Sequence, residues 1–419
     1  MDRFTGNFTQ QEPIPEEGIE AAVAALRHGR LHRYNVVPGE EAEASLLEQE
    51  FAALIGARYC LAVASGGYAM ACAMRAVGVK AGDRVLSNGF TLAPVPGAIA
   101  SLGAEPVFVE VTDDLTIDLE DLAAKAASSG AKVLLLSHMR GHVCDMDRLM
   151  QICDGAGVQV VEDCAHTMGA EWRGVPSGRH GVMGCYSTQT YKHINSGEGG
   201  LIVSDDAAGM ARAVLLSGSY MLYTRHAAAP PPEAFADLKW DTPNISGRMD
   251  NLRAAILRPQ LPLLADRRAR WRARYEALEA GLQGTPGLAL IPRPEHEAYV
   301  GSSFQLLLPG WRAEAVQDLL ARAAARGVEL KWFGAAEPVA FTSRYDSWRY
   351  APAQSLPRTD AVLAGLIDMR LPLTFSVEDC AQIARILRAE VSAVWQAGAV
   401  RPETALPATS APVSRPADR

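Results

Sequence analysis

KVLLLSHMRGHVCDMDRLMQICDGAGVQVVED (132–163) carries the pattern that decides the fold. It opens on an apolar run of strand length, KVLLLS (132–137), crosses an amphipathic segment, and closes on a second run, VQVVED (158–163). Two such runs with a helical pattern between them form a strand–helix–strand unit, the connection that joins parallel strands. The rhythm extends upstream through CLAVA (60–64), the turn SGG, the helix-like YAMACAMRAVG, RVLS (84–87) and PVFVEV (106–111). LIVSD (201–205), reached through a glycine turn, adds one more strand. The expectation is an α/β fold whose mainly parallel central sheet is flanked by helices.

Beyond about residue 245 the texture changes. LRAAILRPQLPLLADRRARWRARYEALEAGL (252–282) has the composition of a long helix interrupted at Pro259 and Pro262. FQLLLPG (304–310) and GVELKWF (327–333) are strand-like, with the helical AEAVQDLLARAAARG between them. SVEDCAQIARILRAEVSAVWQA (376–397) opens with a Ser-x-x-Asp cap. These segments divide the chain into a large domain (1–245), a smaller C-terminal α/β domain (246–398), and a Pro/Ala/Ser-rich tail (399–419) expected to be disordered.

Composition excludes several classes of function. The net charge of -8 and the absence of a lysine- or arginine-rich block argue against a nucleic-acid or acidic-membrane partner. No run approaches the roughly 18 apolar residues of a membrane span, and MDRFTGNFTQQEPIPEEG is too polar and acidic for a signal peptide. Seven cysteines, odd in number and never spaced CxxC, argue against a disulfide framework and a zinc ribbon. A reducing cytoplasm and no metal are the corresponding expectations.

Three features point to chemistry. Asp163 ends a parallel strand, at the sheet edge where open α/β folds bind ligands, and a carboxylate there can hold a cation or a protonated ring nitrogen. Ser65-Gly66-Gly67 lies between a strand and a helix, where glycine permits close approach and free N–H groups attract an anion. Lys192 sits in the neutral, polar stretch Ser187-Thr-Gln-Thr-Tyr-Lys192-His with no acid until Glu198, so partial desolvation would favour its free amine. Each has a structural alternative: a helix-capping Asp, a tight turn, a solvated loop lysine.

The run VVEDCAHTMGA (160–170) followed by GCYSTQTYKHINSGEGGLIVSDD (184–206) resembles the Asp…Ser…Lys…GEGG signature of the DegT/DnrJ/StrS sugar aminotransferase family, fold-type I pyridoxal-phosphate enzymes. The resemblance continues through GDRVLSNGFTLAPVPGAIASLGAEPVFVEV (82–111), SHMRGHVCDMD (137–147) and GRMDNLRAAILRPQL (247–261), and spans roughly 15–390. It implies that Lys192 carries pyridoxal phosphate as a Schiff base and acts as general acid and base. By the same likeness Asp163 pairs with the ring nitrogen, and Ser187 with Gly66 and Gly67 holds the phosphate. A residue before the MDNLRAAI helix, Ser246 or Asn244, would reach the phosphate of a neighbouring subunit, which implies a homodimer with shared active sites. The implied reaction moves an amino group from glutamate or glutamine to a keto-sugar or cyclitol-like acceptor. Elimination, cyclisation, dehydration or decarboxylation of a non-sugar substrate on the same scaffold is the alternative, and a non-enzymatic cofactor-binding sensor or scaffold is a third reading.

The sequence also departs from the family pattern. His166 stands where the family has Gln, and is expected to stack on the cofactor ring or bond its O3′. Gly66-Gly67-Tyr68 lacks the usual Thr hydroxyl, for which Ser65 is the substitute. Leu92 replaces a stacking aromatic and leaves Phe90 as a candidate. SGSYMLYTRH (217–226) and KWFGAAEPVAFTSRYDSWRY (331–350) differ from the usual segments, which points to an altered substrate side. Arg30 or Arg33 of RLHRYN, and the Met139–His142 turn, are candidates for the pocket. His193 is expected in a supporting role, and Cys164 as a buried thiol.

Overall fold

The computed structural model describes residues 3–400. Its main sheet has seven strands: β1 Tyr59–Val63, β2 Arg84–Asn88, β3 Glu105–Val109, β4 Val133–Ser137, β5 Gln159–Asp163, β6 Met183–Ser187 and β7 Gly200–Ser204. Their spatial order is β1-β7-β6-β5-β4-β2-β3. From β6 to β3 every neighbour is parallel, while β7 runs antiparallel to both β1 and β6. The mainly parallel sheet is therefore present, and the expected LIVSD strand is its one reversed member. The sequence reading did not assign β6 as a strand; its small and polar residues, MGCYS, hide a fully buried strand.

The 132–163 unit forms as expected. Asp145 caps the connecting helix Met146–Ala156 by accepting the Arg148 N–H, and Gly157 ends it in a left-handed conformation. Period-two alternation divides β4 between the two sides of the sheet. Leu134 and Leu136 join an apolar cluster that continues to Ile383 and Leu387, and Val133 and Leu135 pack with Val161, Met183 and Ile202 on the other face.

The two prolines act as expected on the long helical stretch. Helix Asn251–Leu257 gives way to a 3-10 turn, Arg258–Leu263, before helix Leu264–Leu282 resumes. A second, antiparallel sheet has the order β8-β9-β11-β10, made of β8 Ala289–Leu290, β9 Ser303–Leu307, β10 Lys331–Trp332 and β11 Leu366–Arg370. GVELKWF thus contributes only two strand residues. The closing helix Val377–Gln396 has the expected cap: Ser376 Oγ accepts the Asp379 N–H, and Asp379 accepts the Ser376 N–H. Ala399 is buried and Val400 bridges to Trp311, so ordered chain extends two residues into the expected tail; 401–419 lie outside the described residues.

Candidate active site

Ser137, Asp163 and Ser187 are the last residues of β4, β5 and β6, three neighbouring strands pointing the same way. Their side chains open at one sheet edge. Ser65 follows β1 by two residues and joins them there. Together with Gly66, Gly67, His166 and Lys192, these residues line a cavity of about 400 Å³.

Asp163 is held by two donors. The Ala165 N–H donates to Oδ1 at 3.1 Å, and the Ser137 hydroxyl to Oδ2 at 2.9 Å. Burial pushes its carboxyl above the usual range, against these bonds and the charge of Lys192. Ser137 was not singled out from the sequence, although its register partner in the sheet is Asp163. Pairing the last residues of adjacent parallel strands would have found it.

Lys192 lies in the loop between β6 and β7, partly buried. Its Nζ is 2.8 Å from His166 Nε2. Loss of water lowers the amine to about 7; Asp163 opposes that shift, and Arg140 and Arg370 add to it. His166 is driven well below its ordinary value, first by burial and then by the neighbouring cations. The imidazole is therefore neutral.

The glycine-lined end of the cavity is built from two distant segments. Ser65 caps helix Gly66–Ala76 by accepting the Tyr68 N–H at 3.1 Å, which leaves the first N–H groups of that helix turned toward the cavity. Gly66 is packed so closely on Ser187 that a Cβ would lie 2.8 Å from the serine Cβ. Gly200, where β7 begins, is as tight: a Cβ there would stand 2.5 Å from the Ser65 carbonyl oxygen. A Cβ at Gly67 would meet nothing nearer than 3.9 Å.

A second cavity of about 210 Å³ adjoins the first and shares Leu92, His166, Gln189 and Lys192 with it. Arg140, Tyr191, Phe341 and Arg370 line its far side. Arg140 holds a left-handed backbone (φ 56°), a conformation costing a non-glycine residue about 1–3 kcal/mol. Of these four, the sequence reading reached Arg140 through its turn and Phe341 through its segment; Tyr191 and Arg370 carried no signal.

Several expected residues lie elsewhere. Phe90 is a core ring, edge-on to Phe333 at 5.0 Å, so it cannot stack in the cavity, whereas Leu92 lines it. Arg33 is fully buried in a two-pronged ion pair with Glu48, both bonds 2.8 Å, and His226 joins the same carboxylate. Arg30 pairs with Glu40 at the surface. Neither arginine reaches the pocket, and no residue of 217–226 lines either cavity in its own chain. Asn244 is exposed and accepts from the Ser246 N–H and hydroxyl. His193 is buried, 3.2 Å from the Ser302 hydroxyl and edge-on to Trp271.

Cys164 is buried beside Glu162 and His138. Four donors already occupy that carboxylate: His138, and the N–H groups of Gly178, His180 and Gly181. The cluster is a structural bracket.

Comparison with known proteins gives the family of the chain. The model of the DegT/DnrJ/EryC1/StrS aminotransferase family matches residues 14–388. A protein of Streptoalloteichus tenebrarius named as a putative L-glutamine:3-amino-2,3-dideoxy-scyllo-inosose aminotransferase is 28% identical over 78% of each chain. The L-glutamine:2-deoxy-scyllo-inosose aminotransferase of the same organism is 31% identical over 68% of each. Among solved structures, 3-amino-5-hydroxybenzoic acid synthase superposes with a TM-score of 0.78 at 26% identity, covering 92% of this chain and 99% of the other. The fold and these likenesses define an enzyme of the α/β aminotransferase class. The chain belongs to the DegT/DnrJ/EryC1/StrS aminotransferase family.

Proposed function

We propose that this aminotransferase works with pyridoxal phosphate held in the 400 Å³ cavity, taking an amino group from glutamine or glutamate and delivering it to a keto group on a cyclitol or sugar. One observation carries the reading: an amine lowered to about 7, at Lys192, shares a cavity with a buried carboxylate and a glycine-lined helix N-terminus. The residues fit the cofactor in three places. Lys192 offers an uncharged amine to an aldehyde, Asp163 a carboxylate to a pyridinium, and Ser187 with the Gly66–Gly67 N–H groups a cradle for phosphate.

Bound there, pyridoxal phosphate supplies an aldehyde and an electron-accepting ring. The protein supplies the rest. Asp163, oriented by Ser137 and the Ala165 N–H, holds a positive ring nitrogen, and that charge returns its own carboxyl to the ionised form. Lys192 Nζ takes up and returns a proton, a task suited to a group that titrates near neutrality. His166 fixes the position of that amine.

Relatives named for L-glutamine and scyllo-inosose acceptors support glutamine as donor and a cyclitol as acceptor. A homodimer completes the site in this reading. It is supported by the exposed Asn244 and Ser246 beside a surface rich in apolar side chains, Tyr220, Met221, Trp240 and Ile245. Seven free, buried cysteines fit a reducing compartment such as the cytoplasm. The test is to add glutamine or glutamate to the cofactor-loaded protein and follow its visible absorbance, then restore the band with scyllo-inosose or keto-sugars. A band unchanged by every donor defeats the aminotransfer, and a Lys192 peptide unlabelled after borohydride reduction defeats the cofactor site.

A further inference from the structure

The 210 Å³ cavity beside Lys192 carries positive charge that the protein does not neutralise. Arg370, the last residue of β11, lays its guanidinium 3.8 Å from the Tyr191 ring centre and 5.3 Å from that of Phe341. That guanidinium makes no ion pair or hydrogen bond among the described residues. The Arg140 guanidinium stands 4.4 Å from the Phe341 ring centre and donates one bond to Asp368 at 2.8 Å. Its Nε is buried without a partner. Asp368 is itself shared, since its other oxygen accepts from Gln305 at 2.7 Å. No aspartate or glutamate lines this cavity among the described residues.

Two guanidinium groups thus line one cavity; Arg140 shares the buried, already divided Asp368, and Arg370 has no carboxylate partner among the described residues. A partly desolvated cation without a counter-charge is costly, and a ligand that brings the missing charge relieves that cost. The planar fork of arginine matches a carboxylate with two parallel bonds, and the aromatic faces of Tyr191 and Phe341 fix the plane in which the fork is presented. The volume lies below the roughly 300–1,000 Å³ of pockets that enclose drug-sized ligands, so the occupant is one ring or one amino acid in size.

Resting on the cofactor site proposed above, we infer that Arg370 and Arg140 form a carboxylate-binding subsite for the substrate that reacts beside Lys192. The carboxylate comes either from the amino donor or from a carboxylated cyclic acceptor; the chemistry of recognition is the same. An acidic acceptor would set this chain apart from one restricted to neutral cyclitols.

The test is calorimetric and needs no turnover. Cofactor-loaded full-length protein is titrated with glutarate and with cyclohexanecarboxylate, and separately with their neutral amides. At least one acid should bind tenfold or more tightly than its amide. Arg370→Gln should erase that preference, and Arg370→Lys should restore only part of it. Preference for glutarate identifies the donor as the source, and preference for the ring acid identifies the acceptor. In cofactor-free protein Lys192 offers a second readout: with one cation removed, its titration midpoint should rise in Arg370→Gln. Equal binding of acid and amide, no binding of either acid, or a preference that survives Arg370→Gln overturns the inference. Failure of the cofactor site is seen separately, as protein that gains no visible band and no borohydride-labelled Lys192.

Discussion

Lys192 and His166 share a bond whose direction is set from the far side of the ring. The Arg140 N–H donates to His166 Nδ1 at 3.3 Å, so the neutral imidazole carries its proton on Nε2. That N–H then points at Lys192 Nζ, 2.8 Å away, and can donate only to an amine with a free lone pair. The histidine therefore selects the uncharged lysine. A glutamine, the residue the family resemblance leads one to expect at 166, could present the same donor.

The first prediction concerns that amine. In the cofactor-free protein, labelling of Lys192 by limiting acetylating reagent, followed by peptide mapping, should titrate with a midpoint near 7, whereas ordinary lysines titrate about three units higher. A midpoint matching the surface lysines would refute the geometry of the pair.

Stability should follow with a defined sign. The unfolded chain holds the Lys192 proton up to about 10.4 and the folded one only to about 7, so the unfolded state binds more protons between these values. Stability therefore gains with pH across that window, and below 7 the penalty is fully in force, on the order of a few kcal/mol. Cofactor-free Lys192→Met should raise Tm relative to the parent most at pH 6 and least near pH 10. A constant difference would contradict this.

Removing groups around Asp163 should grade cofactor retention. Asp163→Asn loses a charge-assisted bond of about 1.5–3 kcal/mol, a 10- to 150-fold weaker hold. Ser137→Ala leaves the carboxylate in place but frees one oxygen, and about 1 kcal/mol, or roughly fivefold, is expected. Equilibrium dialysis of pyridoxal phosphate measures both. A larger loss in Ser137→Ala than in Asp163→Asn would reverse the assigned roles.

How much of this was legible beforehand depends on the kind of signal. Strands β1 to β5 announce themselves because each is a short apolar run bounded by Gly or Asp, and burial on both faces demands such runs. Strand β6 does not, because Gly184 and Ser187 serve close packing and the site before hydrophobicity. Lys192, Asp163 and the glycine turn could be read because their chemistry needs particular residue types near particular element ends. Arg370 could not: it lies far along the chain, and only the second sheet brings it beside Tyr191. Arg33 illustrates the opposite error, a basic residue in an aromatic turn that looks available for a ligand and is consumed by Glu48.

That buried pair yields a further prediction. Glu48→Gln leaves Arg33 enclosed without a counter-charge, a change that costs about 3–5 kcal/mol. Urea denaturation should register it as a lower midpoint with unchanged cofactor binding per folded molecule. A midpoint equal to that of the parent would show that His226 suffices to compensate.

At the cradle, Gly66→Ala and Gly67→Ala should behave differently in the cofactor-free protein. The first forces a methyl into Ser187 and should cost about 1–3 kcal/mol; the second makes only ordinary van der Waals contact with Pro94. Differential scanning calorimetry distinguishes them, and an equal loss of Tm would mean that Ser187 can move aside.

Strand β1 has a single neighbour in its sheet, and that neighbour is β7, made almost 140 residues later. A ribosome-bound chain that stops short of Gly200 has nothing to zip Tyr59–Val63 into place. The turn that follows it would dangle, with Ser187 still searching for Gly66. In the proposed reading, competence to capture a phosphate is thus a late event in the life of the nascent polypeptide, reached only when the first strand of the main sheet meets that sheet's last.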